Sequence, residues 1–298
     1  MVTACRRTRG ARFGVHSPWR RPRLLGALVG LALMTIPPPE ASAWGLQSHR
    51  WVARRAAALV ATRCPSLVVG FEAELADRAV EPDTVLKGRH GRAETVRHFL
   101  DLDDYGEPPF RALPQDYERA VARYGRETVE ERGVLPWHVA RLAKRLRTEL
   151  RRGVLSQARV TAGYLAHYVA DATMPLHATR NYDGQLTRQR GLHARIERKL
   201  VDGNFERYAV PAERARYRTP IAPEDAAARM FEALRRSYDL VAPLLAADRA
   251  ARRDTRVGSA LYFRRLEVDL GDDLARRLGR AAALTAAVWD GACEAPSP

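Results

Sequence analysis

Segments that alternate apolar and polar residues, as a half-buried strand does, are almost absent from this chain, which excludes a sheet-based fold. Long apolar runs are missing too. After residue 36 none is long enough to cross a bilayer, so the remainder reads as soluble. Cysteine is scarce: there are three, and Cys5 lies in an N-terminal segment set apart below. Cys64 and Cys293 are too few for a disulfide framework; an oxidising compartment permits a bridge between them without establishing one. Lysine is nearly absent, confined to Lys87, Lys144 and Lys199, so arginine carries the positive charge. No repeat and no linker divides the chain, which leaves one domain.

What is present begins with an export signal at 1–43. Arginines from Arg6 to Arg23 precede the apolar run LLGALVGLALMTI at 24–36, which suits a signal peptide and is too short for a membrane span. Ala41-Ser42-Ala43 supplies the small-residue cleavage pattern, so Trp44 is expected to begin the mature protein, secreted or periplasmic. The formal charge is +15 for the whole chain and +9 once those first 43 residues are removed. A basic surface suits anionic lipid or nucleic acid, but solvated arginine on helix faces gives the same total. Charge does not choose the substrate.

From 44 to 298 the apolar residues recur with a helical period, which predicts one all-α domain. Helices are expected over 48–63 with Ser48 as N-cap, as a short piece within 65–80, and over 115–124. Another starts near Pro136, with Trp137, Leu142, Leu146 and Leu150 as its core stripe, and stops near Gly153. Further helices are expected through His167, through His193, and over 222–247 and 258–292. Residues 81–113, rich in Gly and Pro, read as irregular.

The chemistry gathers in 161–200. His167 and Asp171 are four apart and so share one helix face; His193 and Glu197 repeat the spacing. His177 follows Pro175, which ends the first helix. Two such pairs and an intervening His converge the nitrogen and oxygen ligands that borderline-soft metals take. Upstream, Asp83 and His98 lie fifteen apart across a Gly-rich loop. Asp101, Asp103 and Asp104 read as turn or solvated acids, Asp77 as an exposed helix residue, His90 as a loop residue, and His138 as packed at a helix start. Taken alone, Trp44 reads as a core aromatic and His49 as a residue at a helix start.

Taken together, Trp44 to His49, Asp83 to His98, His167-x3-Asp171-x5-His177 and His193-x3-Glu197 resemble the ligand motifs of the zinc-dependent phospholipase C and single-strand nuclease superfamily. The motifs cover 44–200; beyond that the likeness is helical character alone. The resemblance implies a trinuclear zinc cleft in an all-α domain. Asp83, His98, His167 and Asp171 would hold one zinc. The Trp44 amine and carbonyl, with His49 and Asp171, would hold a second, and His177, His193 and Glu197 a third. Asp83 would also orient or deprotonate the attacking water.

Within that superfamily Glu197, where the nucleases use Asp, and a loop NYDGQLTRQRG lacking Gly-Gly-Asn resemble the bacterial phospholipase C-like branch. Gln47 stands where phosphatidylcholine-cleaving members carry a Glu against the choline cation, so choline specificity is not implied. The expectation is therefore a secreted zinc-dependent phosphodiester hydrolase, acting on a phospholipid or other phosphodiester, with peripheral contact to an anionic membrane surface. The alternative is a single-strand nuclease or 3′-nucleotidase acting on nucleic acid. A third reading, a secreted zinc- or anionic-lipid-binding protein without catalysis, fits poorly, because a structural zinc is usually closed by four ligands. Arg180 and Arg188, between the last ligands, read as solvated loop residues.

Overall fold

The computed structural model describes residues 44–294, and among them there is no strand. The export signal expected at 1–43 lies outside the described residues. The principal helices are α1 (Leu46–Val60), α2 (Glu72–Arg78), α3 (Leu135–Arg151), α4 (Leu155–Asp171), α5 (Phe205–Ala212), α6 (Ala226–Tyr238), α7 (Val241–Arg253) and α8 (Ala260–Cys293). They form a single compact, all-helical domain. No helix among the described residues is long and apolar enough to cross a membrane.

The last helix, α8, is the spine. Ser259 caps it by accepting the backbone N–H of Tyr262 at 3.2 Å. Its first half buries Leu266, Leu270, Leu274 and Leu278, one per turn, while from Ala281 to Ala287 nearly every position is buried. Small side chains there let α1, α3 and α4 approach from different sides. Each large apolar side chain that packing removes from water contributes about 1.5–3 kcal/mol. Cys64, just past α1, and Cys293, ending α8, form a disulfide with a Cα–Cα distance of 5.9 Å. The pairing that the sequence left open is thus made.

Several local expectations shift. The first helix begins at Leu46, and Ser48 lies inside its first turn instead of capping it. Asp202, far along the chain, does the capping: its carboxylate accepts the N–H groups of Gln47 and Ser48 at 2.9 and 3.1 Å and the Ser48 hydroxyl at 2.6 Å. Gly45 is required at this contact, since a Cβ there would fall 2.0 Å from the Asp202 carboxylate. The stretch expected as one helix over 222–247 is two, α6 and α7. Pro243 supplies no N–H, and its ring excludes the carbonyl four residues back, so a continuous helix cannot pass residue 239. Residues 81–113 are less irregular than expected, containing short helical turns at Pro82–Leu86, Lys87–His90 and Arg92–Thr95. The core stripe of α3 is buried as read at Trp137, Leu142 and Leu146.

Candidate metal centre

Helix α4 brings the first ligand candidates into the core. From Thr161 to Asp171 it is buried on nearly every face. Gly163 lets α2 lie against it, because a Cβ there would come 2.2 Å from that of Arg78. The helix ends as the sequence suggested, before a 3-10 turn at Pro175–His177. The carbonyls just past its end are taken up from outside: Ser237 Oγ donates to Ala172 O at 2.7 Å and Arg277 Nε to Thr173 O at 2.8 Å. The turn that carries His177 is therefore fixed at its root.

Three groups of side chains in this region could hold metal ions: His49, His167 and Asp171; Asp83, His98 and His167; and His177, His193 and Glu197. The Asp171 carboxylate faces two of them at once. Its Oδ1 is 3.5 Å from His49 Nε2, and its Oδ2 is 3.0 Å from His98 Nδ1 and 3.4 Å from His167 Nε2. His98 Nδ1 lies 3.6 Å from Asp83 Oδ1 and 3.0 Å from His167 Nε2. In the third group His193 Nε2 is 2.7 Å from Glu197 Oε1 and 3.2 Å from His177 Nε2. Eight of the residues singled out from the sequence thus converge. The ninth, Trp44, is buried, and its indole donates to Ala170 O at 3.0 Å, one residue before Asp171. Its backbone nitrogen is an amide to Ala43, a residue outside the described ones.

The hydrogen bonding decides which ring atoms are free to ligate. His167 Nδ1 donates to the carbonyl of Ala79 at 2.8 Å, and His177 Nδ1 to that of His98 at 2.6 Å. Each ring therefore carries its proton on Nδ1 and turns the lone pair of Nε2 into the cluster. Two imidazole nitrogens facing each other at 3.0–3.2 Å, as at His98–His167 and His177–His193, suit a shared cation better than a direct bond. Buried atoms without a hydrogen-bond partner gather here: both nitrogens of His49, Asp171 Oδ1, His193 Nδ1 and both Glu197 oxygens. Such atoms are costly in a folded core unless something answers them. The donor set of imidazole and carboxylate fits zinc or a similar divalent ion.

Electrostatics agree with that fit. Burial, before any neighbouring charge, pushes His49, His98 and His167 well below the ordinary imidazole value, and His193 to about 4, so all are neutral at pH 7. Burial also raises Glu197 to about 8 and lifts Asp171 well above the usual carboxylate range, helped in the latter by the charge of Asp83. Asp83 goes the other way. Burial opposes its ionisation, yet His98 and Lys87 together lower its pKa. Lys87 Nζ lies 2.7 Å from Asp83 Oδ1.

Both carboxylates that end their groups, Asp83 and Glu197, sit on π-helical turns, Pro82–Leu86 and Arg195–Val201. The wider turn departs from the plain helix expected through Glu197, although the i,i+4 partners still meet.

The sequence reading missed Glu94. This carboxylate is fully buried, accepts the Tyr168 hydroxyl, pairs with Arg97 Nη1 at 2.7 Å, and lies 3.4 Å from His98 Nε2, behind the ring. It is placed to hold His98 with Nδ1 aimed inward. The only signal in the sequence was the i,i+4 spacing of Glu94 and His98, inside a region read as irregular. Residues set aside as non-ligands are placed accordingly. His90 is exposed, Asp77 pairs with Arg50, and Asp103 accepts the Thr179 hydroxyl and the Arg180 N–H. His138 packs edge-on against Tyr168 at 4.5 Å, and burial lowers its pKa to about 3. No protein-family model matches the chain, and no curated protein matches its sequence.

Proposed function

We propose that this chain is a secreted zinc-dependent hydrolase of phosphodiesters, of the phospholipase C kind, with three ions in the cleft. The observation that carries the reading is Asp171, whose two oxygens face two different groups of buried ligands, with the third group adjacent: His177 Nδ1 lies 4.0 Å from Asp171 Oδ2. Asp83, His98, His167 and Asp171 would hold one ion. His49 and Asp171, joined by the Trp44 amine and carbonyl after cleavage, would hold the second. His177, His193 and Glu197 would hold the third.

Zinc bound there would supply a water of pKa about 7 and an electrophile for the phosphoryl oxygens. The side chains supply the rest. Asp171 would be the ligand common to the first two ions. Asp83, with the Lys87 ammonium 2.7 Å from its Oδ1, could accept the proton of the attacking water at its carboxylate. His167 and His177, fixed through Nδ1 by backbone carbonyls, cannot rotate away as the substrate enters. The third group offers three protein ligands, the number that catalytic zinc sites use, whereas closed structural sites use four.

Gln47 is exposed and carries no charge, so no preference for a choline head group is expected. The second reading, a single-strand nuclease, is favoured by one observation. Tyr182, 49% exposed, stands on the rim with its ring 6.2 Å from that of His193, where a base could stack. The test is a panel of phosphatidylcholine, other phospholipids, single-stranded DNA and single-stranded RNA, offered to zinc-loaded protein whose metal content has been measured. Release of diacylglycerol with about three zinc ions per chain is the expected result. A metal content of one or less would remove the trinuclear reading, and nucleic-acid cleavage without lipid turnover would establish the second.

A further inference from the structure

The segment joining His177 to His193 is folded for more than connection. Asn181 Oδ1 accepts the N–H of Leu186, the Gln185 amide donates to Arg180 O, and Gln189 N donates to Gly184 O. Gln189 is buried and ties the segment to the body through Leu245 O and Asp248. A loop so braced would normally turn its apolar residues inward. This one leaves Leu186 60% and Tyr182 49% exposed.

The exposed charge on the loop itself is of one sign. Arg180, Arg188 and Arg190 are exposed on the same loop. Only Arg180 has an ion-pair partner among the described residues, Asp104 at 3.1 Å. The loop's single acid, Asp183, has its carboxylate oxygens turned to the backbone N–H groups of Gly191 and His193, at 2.8 and 3.3 Å. The loop therefore offers an aromatic, a leucine and arginines without an exposed acid, beside the third ligand group.

We infer that this loop is a docking surface for an anionic lipid bilayer, with Tyr182 and Leu186 entering the headgroup region and the arginines held by lipid phosphates. The inference rests on the phosphodiesterase reading for its purpose but not for its test. Aromatic and aliphatic tips gain by leaving water at an interface, and nearby cations add attraction that depends on anionic lipid and weakens with salt. A single-stranded nucleic acid would use the aromatic and the arginines but has little use for an exposed leucine. Docking by this loop would bring the lipid phosphodiester close to the third ligand group.

The test compares wild type with Tyr182→Ser/Leu186→Ser. Neither side chain supports the core, and unchanged thermal unfolding checks that the variant folds. Co-sedimentation is measured with vesicles of phosphatidylcholine alone or mixed with phosphatidylglycerol, at low and high salt, with and without zinc. Turnover of bis(p-nitrophenyl) phosphate, a soluble phosphodiester, is followed in parallel. Wild type should sediment with the mixed vesicles in a salt-sensitive manner, and the variant should bind about tenfold more weakly or worse. Wild type that binds vesicles but hydrolyses no diester would leave the docking surface standing and remove the proposed activity. Wild type that ignores the mixed vesicles, or a variant that binds them equally well, would overturn the docking surface. So would capture of a single-stranded oligonucleotide in place of the vesicles.

Discussion

The two ends of the candidate metal centre are built by different means. His49, His167 and Asp171 stand on α1 and α4, helices whose flanks are packed against each other and against α8. His177, His193 and Glu197 come from a 3-10 turn, a single helical turn and a π-helical turn. The first end is positioned by apolar packing: Ala53, Ala56 and Ala57 of α1 and Ala162, Leu165 and Ala166 of α4 lie in one core cluster. The second is packed too, through Leu176, Leu192 and Ile196 in another core cluster, but it is also tied by a concentrated set of hydrogen bonds. Asp248, fully buried on α7, accepts Gln189 Nε2 at 2.7 Å, Arg195 Nη2 at 3.3 Å, Arg252 Nε at 2.5 Å and the Tyr262 hydroxyl. Packing spreads a constraint over many small contacts, whereas a polar hub concentrates it in one carboxylate. A single substitution should therefore disturb the second end more readily than the first, unless it strikes a ligand.

The largest effect is expected where a ligand is shared. Asp171→Asn keeps the side-chain shape but removes the charge that faces both ligand groups of the first end. It should abolish hydrolysis and lower the metal content by two ions. His193→Ala should remove one ion and leave the first end loaded. Elemental analysis of both variants decides the matter: equal losses would mean that Asp171 does not span two ions.

Next comes the hub. Asp248→Ala would leave Arg195 and Arg252 without their buried carboxylate, costing on the order of 3 kcal/mol, discounted for the partial exposure of Arg252. Thermal unfolding should fall accordingly, and in a chelator titration the third ion should leave first. Uniform loss of all ions would show that the two ends are one mechanical unit. Glu94→Gln is milder. It preserves shape and the contact with Tyr168 but no longer pulls on the His98 ring, so affinity at the Asp83–His98 group should fall about 10–100-fold with the fold intact. Unchanged affinity would reduce Glu94 to the partner of Arg97.

The contrast also explains what could be read in advance. The pairs His167–Asp171 and His193–Glu197 were legible because a helix makes spacing equivalent to position. The all-helical domain was legible from the same periodicity. Asp202 capping α1, Asp248 holding the loop and Glu94 behind His98 were not. Each depends on which side chain long-range packing brings near, and no local pattern encodes that. Cys64 and Cys293 were visible as a pair, but only the packing that brings the C-terminal ends of α1 and α8 together sets their Cα atoms 5.9 Å apart. The π-helical turns at Asp83 and Glu197 left no trace in residue type either.

The smallest effect separates the two ends by counting protons. In the metal-free protein at pH 7 four of the imidazoles are neutral, since burial holds His193 at about 4 and His49, His98 and His167 well below their ordinary value. They have no proton to give up when an ion arrives. Glu197, raised to about 8, is mostly protonated at pH 7, and Asp171 is raised well above its usual range as well. Asp83 is lowered and already ionised. Zinc binding must therefore expel about one proton at the second end, from Glu197. A folded-state pKa raised above the ordinary 4.5 gives stability that is complete below 4.5 and lost as pH rises through about 8. His193, lowered from 6.5, gives stability present above 6.5 and lost as pH falls toward 4. The metal-free protein should thus weaken between pH 6.5 and 8 on account of Glu197, by up to about 1.4 kcal/mol per pH unit. Zinc should protect it increasingly over that range. The measurement is proton release on zinc addition, read with a pH indicator in weak buffer at pH 6.5, 7.5 and 8.5. Release from the second end should diminish above pH 8, and Glu197→Gln should remove about one proton from the total at pH 7. Identical release at all three pH values, in wild type and variant alike, would mean that Glu197 does not meet the metal as a protonated acid.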